Sequence, residues 1–282
     1  MRKVKADLHN HLRTSSNMKG LFNPAIDIAS KRLGAGGIFA LVNFEDERYE
    51  RFSEEKGYER KDLGNAIYVP EKDILVVKGQ EIPTQEGHLL VLGLEKGVRL
   101  KAGESLVSTI SNARYNKGLV IADHPFYIEG IGSMLDKAPD FLNYIHAIEG
   151  HNGEAAFGFP VGPFPRNANR KAQEFYAKMS QHYSHLGMLS TSDGHSLHEL
   201  GKSYTVLEMP ECYGYQINDS EHLTESLAKA IMGSGTSRQL IENPNVLITI
   251  NEPRQHVMQN ARLGALEHIA KLAALRIKSV IK

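Results

Sequence analysis

Short, uninterrupted apolar runs separated by amphipathic stretches constrain this chain more than any other feature. Residues 37–42 (Gly-Ile-Phe-Ala-Leu-Val), 74–77 (Ile-Leu-Val-Val) and 119–122 (Leu-Val-Ile-Ala) are each of strand length, as are 88–92, which opens on His88, and 188–191, which ends on Ser190 and Thr191. They lack the polar alternation of a strand with one wet face, and strands buried on both faces read this way. Residues 4–8, 144–148, 204–209 and 246–250 add further strands. Helical spacing appears between them. In residues 24–33, Ile26, Ala29 and Leu33 share a face, Pro24 suits the first turn and Gly34 ends the run. In residues 104–117, Leu106, Ile110 and Ala113 do the same before Gly118. Residues 167–186, 221–232 and 254–278 are further helices.

This alternation predicts an α/β chain with a parallel sheet covered by helices. Roughly seven or eight strands favour a TIM-like barrel over an open sheet. Residues 1–250 form the barrel domain. Residues 251–282 carry a C-terminal helix whose stripe of Leu263, Leu266, Ile269, Leu272 and Ile277 packs on it. Residues 45–65 are charged and are expected as a solvated, partly helical surface segment. Residues 158–165, rich in glycine and proline, make an ordered loop, because Phe159, Val161 and Phe164 need burial.

The totals exclude some classes. Lysine plus arginine equals aspartate plus glutamate, 33 each. That balance gives no bulk electrostatic drive towards nucleic acid. Cys212 stands alone, so no intramolecular disulfide forms, which fits a reducing, cytoplasmic compartment. The basic N-terminus has no apolar segment behind it, and no apolar run is long enough to span a bilayer. The expectation is a soluble intracellular protein without a membrane partner.

Thirteen histidines raise the question of which do chemistry. His9 and His11 leave the first strand two residues apart, on one side of the chain. Two imidazoles so placed can chelate one cation, although the pair alone is weak evidence. His124 directly follows the strand 119–122. Glu149 and His151 follow the strand 144–148. Asp193 and His195 follow the strand 188–191. Glu81 lies just past the strand 74–77, and His88 opens the next run. Functional groups of parallel α/β barrels sit at the carboxyl ends of strands, and core packing would not choose acids and imidazoles there. Mixed nitrogen and oxygen donors suit zinc, manganese or iron.

Asp7-Leu8-His9-Asn10-His11, Gly79-Gln80-Glu81, Gly87-His88, Asp123-His124-Pro125 and Ser192-Asp193-Gly194-His195 resemble, in order, the motifs of the PHP (polymerase and histidinol phosphatase) superfamily, and Leu200-Gly201 fits its usual ending. The resemblance runs from about residue 5 to 205. It implies a distorted (β/α)7 barrel, a two- or three-metal site and hydrolysis of phosphate esters. Carried onto this chain, it implies one cation held by His9, His11 and Asp193, sharing Glu81 with a second held by His88 and His124. The family usually places a histidine where Val42-Asn43-Phe44 stand, and an aspartate or histidine near residues 13–17. With Phe44 and Asn17 in those places, two divalent cations are expected rather than three, leaving His195 as general acid.

The expected reaction is attack by a hydroxide bridging the cations on a small phosphate monoester or nucleotide. Arg13, Arg166 and Arg170 could bind phosphate through their planar donor forks, and His151 could touch metal or substrate. Phe126, Tyr127, Phe157 and Phe159 could stack on a ring, though core packing explains each equally well. Rival readings are an exonuclease on short single strands, a low-turnover metal-binding regulatory protein, and an amide or ring hydrolase.

Overall fold

The computed structural model describes residues 1–12, 20–44, 46–155, 167–210 and 220–233. Among them, ten strands pair into one sheet. They are β1 Arg2–Asp7, β2 Gly37–Asn43, β3 Lys61–Asp62, β4 Ala66–Val69, β5 Ile74–Pro83, β6 His88–Leu92, β7 Leu119–Ala122, β8 Ala147–Asn152, β9 Gly187–Thr191 and β10 Thr205–Met209. The helices are α1 Phe22–Leu33, α2 Arg48–Glu54, α3 Leu106–Tyr115, α4 Gly132–Lys137, α5 Ala168–Met179 and α6 Ser220–Gly233.

The main path runs β10-β1-β2-β5-β6-β7-β8-β9 and curls into a nearly closed, TIM-like barrel. Its two ends meet through the Thr205 hydroxyl, which accepts from Ser190 N at 2.7 Å and donates to Ser190 O at 3.1 Å. At the rim, His11 N donates to Gly194 O at 2.7 Å.

Side-chain parity explains the apolar runs. Ile38, Ala40, Val42, Leu75, Val77, Leu90, Leu92, Leu119 and Ile121 point into the barrel and form one cluster with Leu223, Leu227 and Ile231 of α6. The alternate residues face outward to helices. Leu89, Val91, Val120 and Ala122 meet α3, α4 and α5, and Phe39, Leu41 and Val76 meet α1 and α2. Each buried side chain of this size contributes about 1.5–3 kcal/mol, so polar alternation would have been costly on either face.

The sheet is not wholly parallel. β1, β2 and β5 run together, as do β7, β8 and β9, but β6 opposes both β5 and β7, and β10 opposes β1. The turn from β5 to β6 holds only residues 84–87, too few for a parallel crossover. Gly87 closes that turn at φ 140°, and a Cβ there would collide with Glu129 O. Because β6 is reversed, its first residue, His88, lies at the same rim as the carboxyl ends of its neighbours.

Other expectations shift in detail. β5 continues to Pro83, so Glu81 lies inside the strand rather than past it. Residues 45–65 are not simply a solvated segment, since Tyr49 and Phe52 of α2 are buried. β4, unforeseen, is buried throughout and pairs with the first half of β5. β8 starts at Ala147, because Pro139–Tyr144 form a 3-10 turn before it. The strand 246–250, the helix 254–278, the loop 158–165 and the second domain at 251–282 lie outside the described residues. No helix among the described residues is long and apolar enough to cross a membrane.

Candidate metal centre

Six strand ends converge on one rim. The chain leaving β1 brings His9 and His11. Their Nε2 atoms face each other at 3.0 Å. His9 Nδ1 lies 2.9 Å from Glu149 Oε1, and His11 Nδ1 lies 3.2 Å from Val42 O. A carboxylate and a carbonyl only accept, so each Nδ1 carries a hydrogen, and each Nε2 is the nitrogen left to take a cation in place of a proton. Such outer partners commonly orient metal-binding histidines. Asp193 Oδ1 is 3.5 Å from His9 Nε2 and 3.7 Å from His11 Nε2.

Glu81 reaches inward from β5 between two histidine groups. Its Oε2 is 2.8 Å from His11 Nε2 and 3.9 Å from His9 Nε2. Its Oε1 is 2.5 Å from His88 Nδ1 and 3.2 Å from His124 Nε2. Ligand atoms of His9, His11 and Asp193 lie within 4.8 Å of one another, and so do those of Glu81, His88, Asp123 and His124. The structure therefore brings together all six residues expected to hold metal, and adds Asp123.

A third group, Glu154, Asp193 and His195, meets the same distance criterion. Glu154 arrives because the chain after β8 runs hard against the end of β9. Gly153 N donates to Thr191 O at 2.9 Å, and a Cβ on Gly153 would collide with Ser192 O. His195 Nδ1 lies 3.0 Å from Asp193 O and 3.6 Å from Glu154 Oε2.

Outer residues hold this framework. Glu149 is fully buried and accepts from Thr191 Oγ1 at 2.8 Å, His124 N at 2.8 Å and Asn152 Nδ2 at 2.9 Å. Asn152 also donates to Asp193 Oδ2 at 3.0 Å. Asp7 accepts from the backbone N–H of Ser192 and of Gly201, fastening the first and last motifs together. Two residues of these groups sit in the left-handed region, His124 at φ 24° and Asp193 at φ 48°. Such strain costs of order 1–3 kcal/mol and gathers at functional sites.

The electrostatics fit a cation. Burial alone would push the His9 imidazole down, yet Asp193 and Glu149 hold it well above the ordinary histidine value. His88 is lifted to about 11 and His124 to about 9 against the same burial, by Glu81 and by Asp123 with Glu81 respectively. Burial raises Glu81 and Glu149 too, but histidine neighbours outweigh it, taking Glu81 well below its usual value and Glu149 to about 2. Burial lowers His11 and raises Asp123 to about 7. Four carboxylates thus trap protons on imidazoles, as they would draw a divalent cation. Each buried ion left unmatched would cost several kcal/mol.

The remaining expectations fare differently. His151 is buried on β8, with its Nδ1 3.3 Å from Asn169 Nδ2, and belongs to none of the three groups. Burial lowers its pKa. Arg170 is exposed and lies 3.4 Å from Glu174, one turn on along α5. Phe126 packs on Phe175 in the outer core. Tyr127 stands edge-on to His124, with ring centroids 6.3 Å apart. Phe44 lies 5.7 Å from His88 and 6.4 Å from His11, centroid to centroid. Arg13, Asn17, Phe157, Phe159, Arg166 and Cys212 lie outside the described residues.

The fold has known counterparts. The lesion-specific endonuclease PfuEndoQ from Pyrococcus furiosus superposes with a TM-score of 0.52 at 16% identity, over 82% of this chain and 56% of that one. Endonuclease Q in complex with a 27-mer duplex bearing an abasic lesion at the active site gives 0.51 at 16% identity, over 85% and 58%. The likeness is one of fold. This chain spans just over half the length of those endonucleases. No protein-family model matches the sequence, and no curated protein matches it either.

Proposed function

We propose that this chain is a metal-dependent phosphoesterase acting on a small phosphate monoester or a nucleotide with two divalent cations, zinc, manganese or iron. His9, His11 and Asp193 would hold one cation and His88 and His124 the other, with Glu81 shared between them. The observation that carries this reading is the split reach of Glu81, with Oε2 on His11 and Oε1 on His88 and His124. Bound cations supply an activated water and neutralise charge on phosphoryl oxygens.

The chain's own residues do the rest. Glu149 and the Val42 carbonyl hold Nδ1 of His9 and His11, so both Nε2 atoms face Glu81 and Asp193. Asn152 holds Glu149 and Asp193 in one register. His195 lies beside His11, with centroids 5.0 Å apart and ring planes tilted by 38°. Its Nδ1 is turned to the Asp193 carbonyl, so Nε2 is the atom that hands a proton to the leaving oxygen. Arg13 and Arg166 are the proposed partners of the phosphate.

A nuclease acting on short single strands is the second reading. The likeness to Endonuclease Q prompts it, and the rings of Phe44 and Tyr127 beside the metal-facing histidines could stack on a base. One assay separates the two: metal-free protein is supplied with manganese or zinc and offered a generic phosphate monoester, a mononucleotide and a short oligonucleotide. Cation-dependent release of phosphate from the small esters is expected. Faster cleavage of the oligonucleotide would favour the nuclease. A protein that holds both cations and cleaves none of the three would reject both readings.

A further inference from the structure

On a strand, consecutive side chains point to opposite faces. Asp123 and His124 depart from that rule. Each offers a ligand atom to one group with Glu81 and His88, all within 4.8 Å of one another. The departure has a local cause: β7 ends at Ala122, and His124 takes φ 24°. The turn aims both neighbours into the mouth of the barrel.

Asp123 is fully buried, and among the described residues neither of its oxygens has a hydrogen-bond partner. Its contact is with His124 Nε2, at 3.4 Å. The other buried acids of the centre are provided for. Asp7 takes two backbone N–H groups, Glu149 takes His9, Thr191, Asn152 and the His124 N–H, and Asp193 takes Asn152. A buried carboxylate beside a second one, with no donor of its own, calls for a cation. His124 Nδ1 is also without a hydrogen-bond partner, so it lacks the acceptor that strengthens His9 and His11 as donors. His88, by contrast, has the Glu129 carboxylate 3.0 Å from its Nε2, so within this half it is His124 and Asp123 that are left without an outer partner among the described residues.

We propose that Asp123 is a fourth protein ligand of the cation held by Glu81, His88 and His124, and that its second carboxylate tunes that position towards manganese or iron(II) over zinc. This rests on the two-cation reading above. Two carboxylates and two imidazoles make a neutral set with a dication, and added oxygen character favours the harder metals.

The test is a calorimetric titration of metal-free protein with manganese, then zinc, for the wild type and Asp123→Asn, alongside thermal melts of both without metal. The wild type should take two equivalents of manganese. Asp123→Asn should keep one at the wild-type affinity and bind the other ~100-fold more weakly or worse, beyond what loss of an outer partner costs, with a smaller loss for zinc. Metal-free Asp123→Asn should melt at or above the wild type, because an unmatched buried charge has gone. Equal manganese binding by the two proteins would overturn the assignment and leave the two-cation reading standing. So would an Asp123→Asn protein that melts lower or fails to fold without metal, since Asp123 would then be a structural acceptor. A wild type that binds fewer than two equivalents would overturn the two-cation reading itself, and this assignment with it.

Discussion

His9 and His11 each have their outer nitrogen committed, to Glu149 and to the Val42 carbonyl. Across Glu81, His124 Nδ1 and both oxygens of Asp123 have no hydrogen-bond partner among the described residues. The two halves of one centre are thus prepared differently. The His9 half is held by hydrogen bonds that exist without a cation, with Glu149, Asn152, Thr191 and Asp7 as its frame. In the His124 half, His88 has Glu129 on its outer nitrogen and the His124 N–H is held by Glu149, but the His124 ring and the Asp123 carboxylate are left to what they bind. A shared carboxylate joins a preorganised position to one that is completed by its ligand.

The strongest way to break this comparison is to remove the frame of the first half. Glu149→Gln leaves His9 with a weaker acceptor, and should weaken cation binding at the His9 position by ~10–100-fold and at the His88 position by less, since Glu149 reaches that half only through the His124 N–H. Competition with a chelator that reads the two cations separately checks this. Equal weakening at both positions would erase the distinction between the halves.

The next effect is on pH. Glu149 is depressed to about 2 from an ordinary 4.5, so it contributes stability that is present above pH 4.5 and lost as pH falls towards 2. Asp123 is raised from 3.8 to about 7, so its share has the opposite sign. The folded form favours the protonated acid, and stability declines as pH rises from about 4 to about 7. Metal-free melts across this range should show both limbs. Glu149→Gln should shrink the acid limb, to which Glu81 also contributes, and Asp123→Asn the upper one, to which Asp7 also contributes.

The smallest effect belongs to Arg170. Its exposed pair with Glu174 is worth little, so Arg170→Ala should change stability by no more than ~0.5 kcal/mol and leave KM for a phosphate ester within about twofold. A large rise in KM would place Arg170 at the substrate site.

Much of the fold was legible because the inner and outer faces of each strand are both buried, which leaves apolar runs without alternation. β5 is longer than its apolar run suggests, because Lys78 and Gln80 interrupt that run. Both are nonetheless buried, Lys78 on Glu50 and the carbonyls of Glu95 and Val98, and Gln80 on the backbone of Leu100. The reversal of β6 follows from its four-residue turn. The histidines, Glu81 and Asp193 were legible because acids and imidazoles recur at strand ends, where packing has no use for them. Asp123 was not, because a period of two assigns it to the face opposite His124, and that period fails once the strand ends. Glu154 carried a signal, an acid just past β8, but only the tight approach at Gly153 brings it to His195. The orienting role of Glu149 depends on the distance across the barrel to His9, which no local pattern contains.

The central claim is that Glu81 belongs to two cation positions at once. Elemental analysis of tightly held metal, in the wild type, Glu81→Ala and His195→Ala, tests it most directly. Two equivalents are predicted for the wild type and for His195→Ala, and fewer than one for Glu81→Ala. Equal loss from the two variants, or a full equivalent retained by Glu81→Ala, would contradict a shared carboxylate.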